Sequence, residues 1–101
     1  MFGRSRYAKV VDAQLDLFIR DHRDVIEEAR QRFELYNRSD RSDAEELYGD
    51  YVDAVETGTD ILAGMRDHYS ATLDEPDEYV SAFNRAVARR LRQFAVEIEN
   101  S

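Results

Sequence analysis

The sequence predicts an all-helical fold, because few turn-forming residues are combined with long apolar stripes at helical spacing. Only one proline and four glycines occur among 101 residues, a composition that favours few, long helices over a turn-rich β-fold. Charged residues make up 36% of the chain, which suits a slender domain with much surface per residue. We therefore predict an antiparallel, up-down-up bundle of three long helices, forming one domain over residues 1–101.

The first predicted helix covers about residues 5–37 and is the longest of the three. Its main apolar stripe runs from Tyr7 to Tyr36 with no glycine or proline in between. At about 1.5 Å per residue it would reach roughly 50 Å, against roughly 35 Å for the third helix, so part of it would overhang. Val10, Leu17 and Leu35 lie on nearly the opposite side. We predict a homo-oligomer that self-associates through these three residues, with a monomer as the alternative.

The second predicted helix covers about residues 43–70 and is acidic on its outer side. Ser42 followed by Glu45 fits a capping box, in which each side chain binds an unpaired backbone N–H of the first turn. Further carboxylates recur every seven residues away from the apolar stripe, and we expect them to form a solvated face. This face is also the predicted contact surface for another protein with basic groups. It comprises Glu46, Asp53 and Asp60.

The third predicted helix covers about residues 76–99. Pro76 would lie in its first turn, where the missing N–H costs little. Its connection to the second helix is short, so these neighbours are predicted to run antiparallel. The apolar stripe of this helix is the most regular of the three and comprises Val80, Phe83, Val87, Leu91, Phe94 and Ile98.

Folding the chain at its two short connections predicts which side chains meet at each end of the bundle. The same folding sets the arginines at 89, 90 and 92 beside the carboxylates of the second helix, which we expect them to offset. Phosphate binding by these arginines is the alternative. One end of the bundle would hold Tyr7, Tyr69 and Tyr79. The other end would hold Tyr36, Tyr48, Phe94 and Ile98.

The charge balance excludes several classes of partner. A formal net charge of −8 opposes binding to nucleic acids and to anionic membrane surfaces, both of which attract clustered cations.

The chain has no cysteine, so disulfides and thiolate metal sites are excluded. No apolar run approaches the roughly 18 residues of a membrane span, and the N-terminal residues do not form a signal peptide. We therefore expect a cytoplasmic protein.

His22 is the candidate for a ligand or metal site, because it lies within the apolar stripe of the first helix. Folding at the first turn places it opposite Gly58 and Thr59. The favoured interpretation is a neutral core histidine that is hydrogen-bonded to Thr59. The alternative is a ligand for a divalent metal in a small cavity beside Gly58, although metal sites usually gather several such groups. No cofactor is predicted.

These observations favour a non-catalytic helical interaction or assembly module over an enzyme. Catalysis generally needs titratable groups that converge in a concave site, and here nearly all of them are predicted to point outward. The sequence also lacks phosphate-binding loops, serine-nucleophile motifs and zinc-binding helix motifs. The alternative function is a metal- or small-ligand-binding bundle, enzymatic or not, that would use His22 together with carboxylates assembled across a subunit interface.

Overall fold

The computed structural model describes residues 6–101, and this part of the chain is all helical, as predicted. Three uninterrupted long helices are not found, because the first and third predicted helices are each broken. The start of the first predicted helix at Ser5 lies outside the described residues. The elements are α1 (Ala8–Asp21), α2 (Arg23–Asn37), α3 (Ala44–Ser70), α4 (Asp77–Arg90), a 3₁₀ turn (Arg92–Phe94) and α5 (Ala95–Glu99).

The first break is at His22, whose backbone angles (φ −125°, ψ 35°) are not helical. The His22 amide still donates to the Phe18 carbonyl at 2.8 Å, and the His22 carbonyl accepts from the amides of Val25 and Ile26. The chain therefore turns at one residue and resumes at once as α2. Neither glycine nor proline causes this break, so tertiary packing overrides a sequence that is compatible with a helix.

The second break is at Leu91 (φ −135°, ψ 64°), and it reverses the course of the chain. The 3₁₀ turn and α5 then fold back against α3 and α4. The Phe94 ring packs directly on Gly58, where an added Cβ atom would lie only 2.8 Å from Phe94 Cζ. Arg66 of α3 fixes the returning segment, because its Nη1 atom donates to the Ile98 carbonyl at 3.1 Å.

The side chains predicted to meet at the two ends of the bundle do so at one end and only in part at the other. Tyr79 packs against Tyr7 and Tyr69, with ring centroids 5.6 and 4.8 Å away, so this end is confirmed. At the other end Tyr36 and Tyr48 pack together at 5.2 Å. Phe94 and Ile98 do not join them, because the break at Leu91 brings both residues back to the middle of the molecule.

The molecule, about 50 Å long and 27 Å by 23 Å across, therefore has two regions. The body consists of α1, residues 55–70 of α3, α4, the 3₁₀ turn and α5. The arm consists of α2, the connection 38–43 and residues 44–54 of α3. Almost all fully buried apolar side chains belong to the body, whereas α2 contributes only Ala29.

The connection at the tip of the arm differs from the predicted capping box. Asp40 Oδ1 accepts hydrogen bonds from the Ser42 hydroxyl at 2.7 Å and from the Ser42 amide at 3.0 Å. The hydroxyl contact first, then a bond from the Asp43 amide at 3.3 Å and the bond from the Ser42 amide, lower the pKa of Asp40 below its ordinary value. Ser42 thus binds backward to Asp40 and not forward to Glu45, and α3 begins at Ala44 with no side-chain cap.

Candidate functional site

The predicted pair His22 and Thr59 does not form a hydrogen bond. His22 is half-buried and lies beside the Phe18 ring, with ring centroids 5.4 Å apart. The Phe94 ring fills the space above Gly58 where a cavity was predicted. Thr59 is only 3% exposed, and its hydroxyl oxygen has no hydrogen-bond partner within residues 6–101. Aromatic packing therefore occupies this part of the body.

Within the described part of the chain, no three histidine or acidic side chains come together as a metal site would require. The predicted arginine contacts also differ from expectation. Arg90 Nη2 donates to Asp16 Oδ1 of α1 at 2.6 Å, and Arg90 Nη1 lies 3.9 Å from Asp12 Oδ1. Arg90 ends α4, which packs against α1, so it pairs with carboxylates of α1 and not with those of α3 as predicted.

The three residues of the predicted self-association surface are placed differently from one another. Val10 is half-buried and packs against the core. Leu17 is 44% exposed and Leu35 is 40% exposed. The break at His22 puts these two leucines on separate helices, so they do not share the continuous face of one long helix.

An exposed aromatic surface lies on the arm instead. Phe33 of α2 packs against Tyr51 of α3 with ring centroids 5.2 Å apart, and Tyr48 packs against both Tyr36 and Tyr51. These rings hold α2 and α3 side by side, but the large side chains at the centre of the aromatic surface are not covered. Phe33 is 40% exposed and Tyr48 is 51% exposed. Partial burial, the larger cause, and the neighbouring Tyr48 raise the pKa of Tyr51 above its ordinary value.

This surface continues the faces of α2 and α3 that are covered in the body. Where the arm meets the body, Ile26 of α2 lines a cleft with Phe94, and Gly58 of α3 lies under the Phe94 ring. Phe33 follows Ile26 by seven residues and Tyr51 precedes Gly58 by seven, so each lies on the same helix face as its counterpart. We call the surface the open face. It consists of Phe33, Tyr36, Tyr48, Tyr51 and the half-buried Val52.

The rim of the open face is acidic. Arg30 pairs with Glu27 and Glu34 of its own helix, and Arg32 pairs with Glu28 at 2.7 Å. Arg32 also lies 3.9 Å from Asp50 Oδ2 of α3. On α3, Glu45 lies three residues before Tyr48 and Glu56 eight residues after it, on the same edge of the helix. Both are exposed, and neither makes an ion pair within residues 6–101.

Arg66 is a structural residue whose role sequence reasoning missed. Its position at the edge of the apolar stripe predicts a buried alkyl stem with the charged group in water. Instead the residue is 4% exposed. Its guanidinium donates to Asn84 Oδ1 at 3.0 Å and to backbone oxygens of Ile98 and Ser101 at 3.1 Å each. No local signal marks this role, because Asn84 lies in α4 and the other two acceptors lie in the returning segment, all far from Arg66 in the sequence.

Comparisons of the chain with protein-family models, with curated proteins and with solved structures give no match in any of the three. No helix between residues 6 and 101 has the length and apolar character needed to cross a membrane. The open face is thus the feature of the described residues that most resembles a functional surface, since exposed aromatic clusters with a charged rim are typical of protein contacts.

Proposed function

We propose that the chain is a non-catalytic helical interaction module and that the open face of the arm is its docking surface. The observation that carries this proposal is the exposure of Phe33 and Tyr48, on helix faces where Ala29 and Val55, nearer the body, are buried. Covering apolar area contributes about 25 cal/mol per Å². Tyrosine is also among the side chains that dominate binding energy at protein contacts.

The titratable groups support binding and not chemistry. The pKa of Tyr79 is raised to about 12, first by burial, and its hydroxyl donates to Gln14 Oε1 at 2.7 Å. This phenol is thus held neutral inside the body. The shifted carboxylates of the described chain lie at the surface, Asp21 and Glu27 beside arginines and Asp40 within the arm turn. A catalytic site would need such groups to converge in a cleft.

Site-specific photo-crosslinking in cells that naturally produce the protein tests the proposal. A photoreactive phenylalanine analogue is placed at Tyr48 in the open face, or at Val96, an exposed apolar residue of α5 in the body. We expect a discrete protein adduct from position 48 that position 96 does not give. The adduct's partner, purified, should bind the wild-type chain and bind Phe33→Ala more weakly. Equal adducts at both positions, or equal binding by the variant, would overturn the proposal.

We further propose that copies of the chain associate through α1 around Leu17, independently of the open face. The support is the 44% exposure of this leucine. Val10, the other predicted contact residue of α1, packs on the core. Leu17→Glu should reduce the mass measured by light scattering to that of one chain, with an unchanged helical circular dichroism spectrum. A mass equal to that of the wild type would exclude α1 as the contact.

A further inference from the structure

We infer that the open face binds a cationic amphipathic α-helix of a partner protein. This inference rests on the proposed function and names the chemistry of the partner. The two observations behind it are the shape of the uncovered surface along the arm and the charge around that surface.

The shape fits a helix. The body covers α3 with α4, the 3₁₀ turn and the returning α5, whereas Tyr48 and Tyr51 in residues 44–54 of α3 pack against rings of α2. The open face is therefore a groove between two antiparallel helices, continuous with the position that α4 and Phe94 occupy in the body. Residues 44–54 of α3 rise about 16 Å, the length of roughly three helical turns. Helices bind such grooves through apolar side chains at steps of three, four and seven residues.

The charge fits a cationic occupant. Residues 23–54, which form the arm, contain five arginines and ten carboxylates, a net charge of −5 within a total of −8. Arg30 pairs with Glu34 of α2, and Arg32 pairs with Glu28 and lies 3.9 Å from Asp50 of α3. Glu45 and Glu56 have no such partner within residues 6–101. Glu45 and Glu56 border the aromatic rings, where lysine or arginine side chains of a bound helix would meet carboxylates and tyrosine faces together.

The same charge argues against two other occupants. A second copy would bring two arms of net charge −5 into contact, and like charges placed together at an interface oppose association. The chain's own C-terminal segment would fill the groove if α4 continued straight through Leu91. That movement would empty the site of Phe94 on Gly58 and remove the Ile98 carbonyl from Arg66. It would also add Glu97 and Glu99 to an acidic surface.

Binding of designed peptides to the full chain tests the inference. The probes are two fluorescein-labelled synthetic helices of about 14 residues, long enough to span the groove. Both carry leucine at the same helical positions. All remaining positions are lysine in one peptide and glutamate in the other. We expect the leucine–lysine helix to bind in fluorescence anisotropy, more weakly as salt is raised, and the leucine–glutamate helix not to bind.

Matched variants separate docking in the groove from general attraction to an acidic protein. Phe33→Ala and Tyr48→Ala should each weaken binding of the leucine–lysine helix about tenfold, whereas Val96→Ala in the body should leave it unchanged. Glu45→Gln combined with Glu56→Gln should weaken binding more than Glu75→Gln combined with Glu99→Gln, which removes two exposed carboxylates away from the open face. Circular dichroism of every variant checks that the helices are retained.

Three results would overturn the inference. Equal binding by Tyr48→Ala and the wild type would mean that charge alone attracts the peptide. Equal binding of the leucine–glutamate helix would mean that the groove does not select a cation. A dimer that Tyr48→Ala dissociates would identify a second copy as the occupant. If one of these results is found but position 48 still crosslinks to a specific partner, the proposed function stands and only the inference fails. If position 48 gives no such crosslink, the proposed function fails as well.

Discussion

The body and the arm are built from the same kind of amphipathic helix, and α3 runs through both, yet their apolar faces have different fates. In the body, Leu62 of α3 and Phe83 of α4 are fully buried. In the arm, Tyr48 of α3 is half exposed. The periodic stripe does not change along α3, but the number of elements that cover it does. An apolar stripe therefore becomes core where the chain returns to cover it and a contact surface where the chain does not.

The two regions also differ in what holds them together. Long-range contacts fix the body, among them the buried Arg66 and the Tyr79–Gln14 hydrogen bond. The arm is held by tilted aromatic rings in contact and by exposed ion pairs such as Arg30 with Glu34. Exposed ion pairs contribute little, about 0 to 1 kcal/mol each. We therefore expect substitutions in the body to reduce the free energy of unfolding far more than matched substitutions in the arm.

The largest difference should come from two arginines. Arg66→Ala leaves the Ile98 carbonyl and Asn84 without their donor inside the body, and should lower the free energy of unfolding by about 3 kcal/mol. Arg30→Ala in the arm should lower it by less than about 1 kcal/mol. Chemical denaturation followed by circular dichroism measures both. Equal effects would mean that the buried guanidinium does not stabilise the returning segment.

Two glycines of α3 offer the next comparison. Gly58→Leu should destabilise by about 1 to 3 kcal/mol, because the new side chain would overlap the Phe94 ring. Gly49→Leu in the arm should instead stabilise by about 0.5 to 1 kcal/mol, since nothing lies within 4 Å of an added Cβ and leucine favours helix more than glycine does. Thermal melts of both variants measure these effects. An unchanged melting temperature for Gly58→Leu would contradict the close packing of Phe94 on Gly58.

A smaller effect, confined to alkaline pH, is expected from Tyr79 of the body. Its pKa in the folded state is raised to about 12 by burial, against about 10 in an unfolded chain. The neutral phenol is therefore favoured by folding, so its contribution is fully present below about pH 10 and is lost as the pH rises toward 12. Unfolding measured across this range should show the loss in the wild type and less of it in Tyr79→Phe. Identical pH profiles would exclude Tyr79 as the cause.

The sequence was sufficient for the helical class and for α3, predicted at 43–70 and found at Ala44–Ser70, because apolar periodicity is a local property. It was not sufficient for the break at Leu91, since the stripe from Val87 to Ile98 suits a straight helix and holds no glycine or proline. The turn there coincides with two distant contacts, Phe94 on Gly58 and Ile98 with Arg66. The open face was missed for the same reason, because its exposure depends on where residues 92–101 go.

The distance between the tip of the arm and the end of α5 tests the central claim most directly, namely that the chain folds back at Leu91 and leaves the open face uncovered. The chain has no cysteine, so Tyr48→Cys with Glu99→Cys provides two unique sites for spin labels. Pulsed electron paramagnetic resonance should give about 25 Å, because α5 lies at the level of Arg66, about five turns along α3 from Tyr48. A distance near 10 Å, the spacing of neighbouring helices, would show a straight third helix that covers the face and would contradict the account.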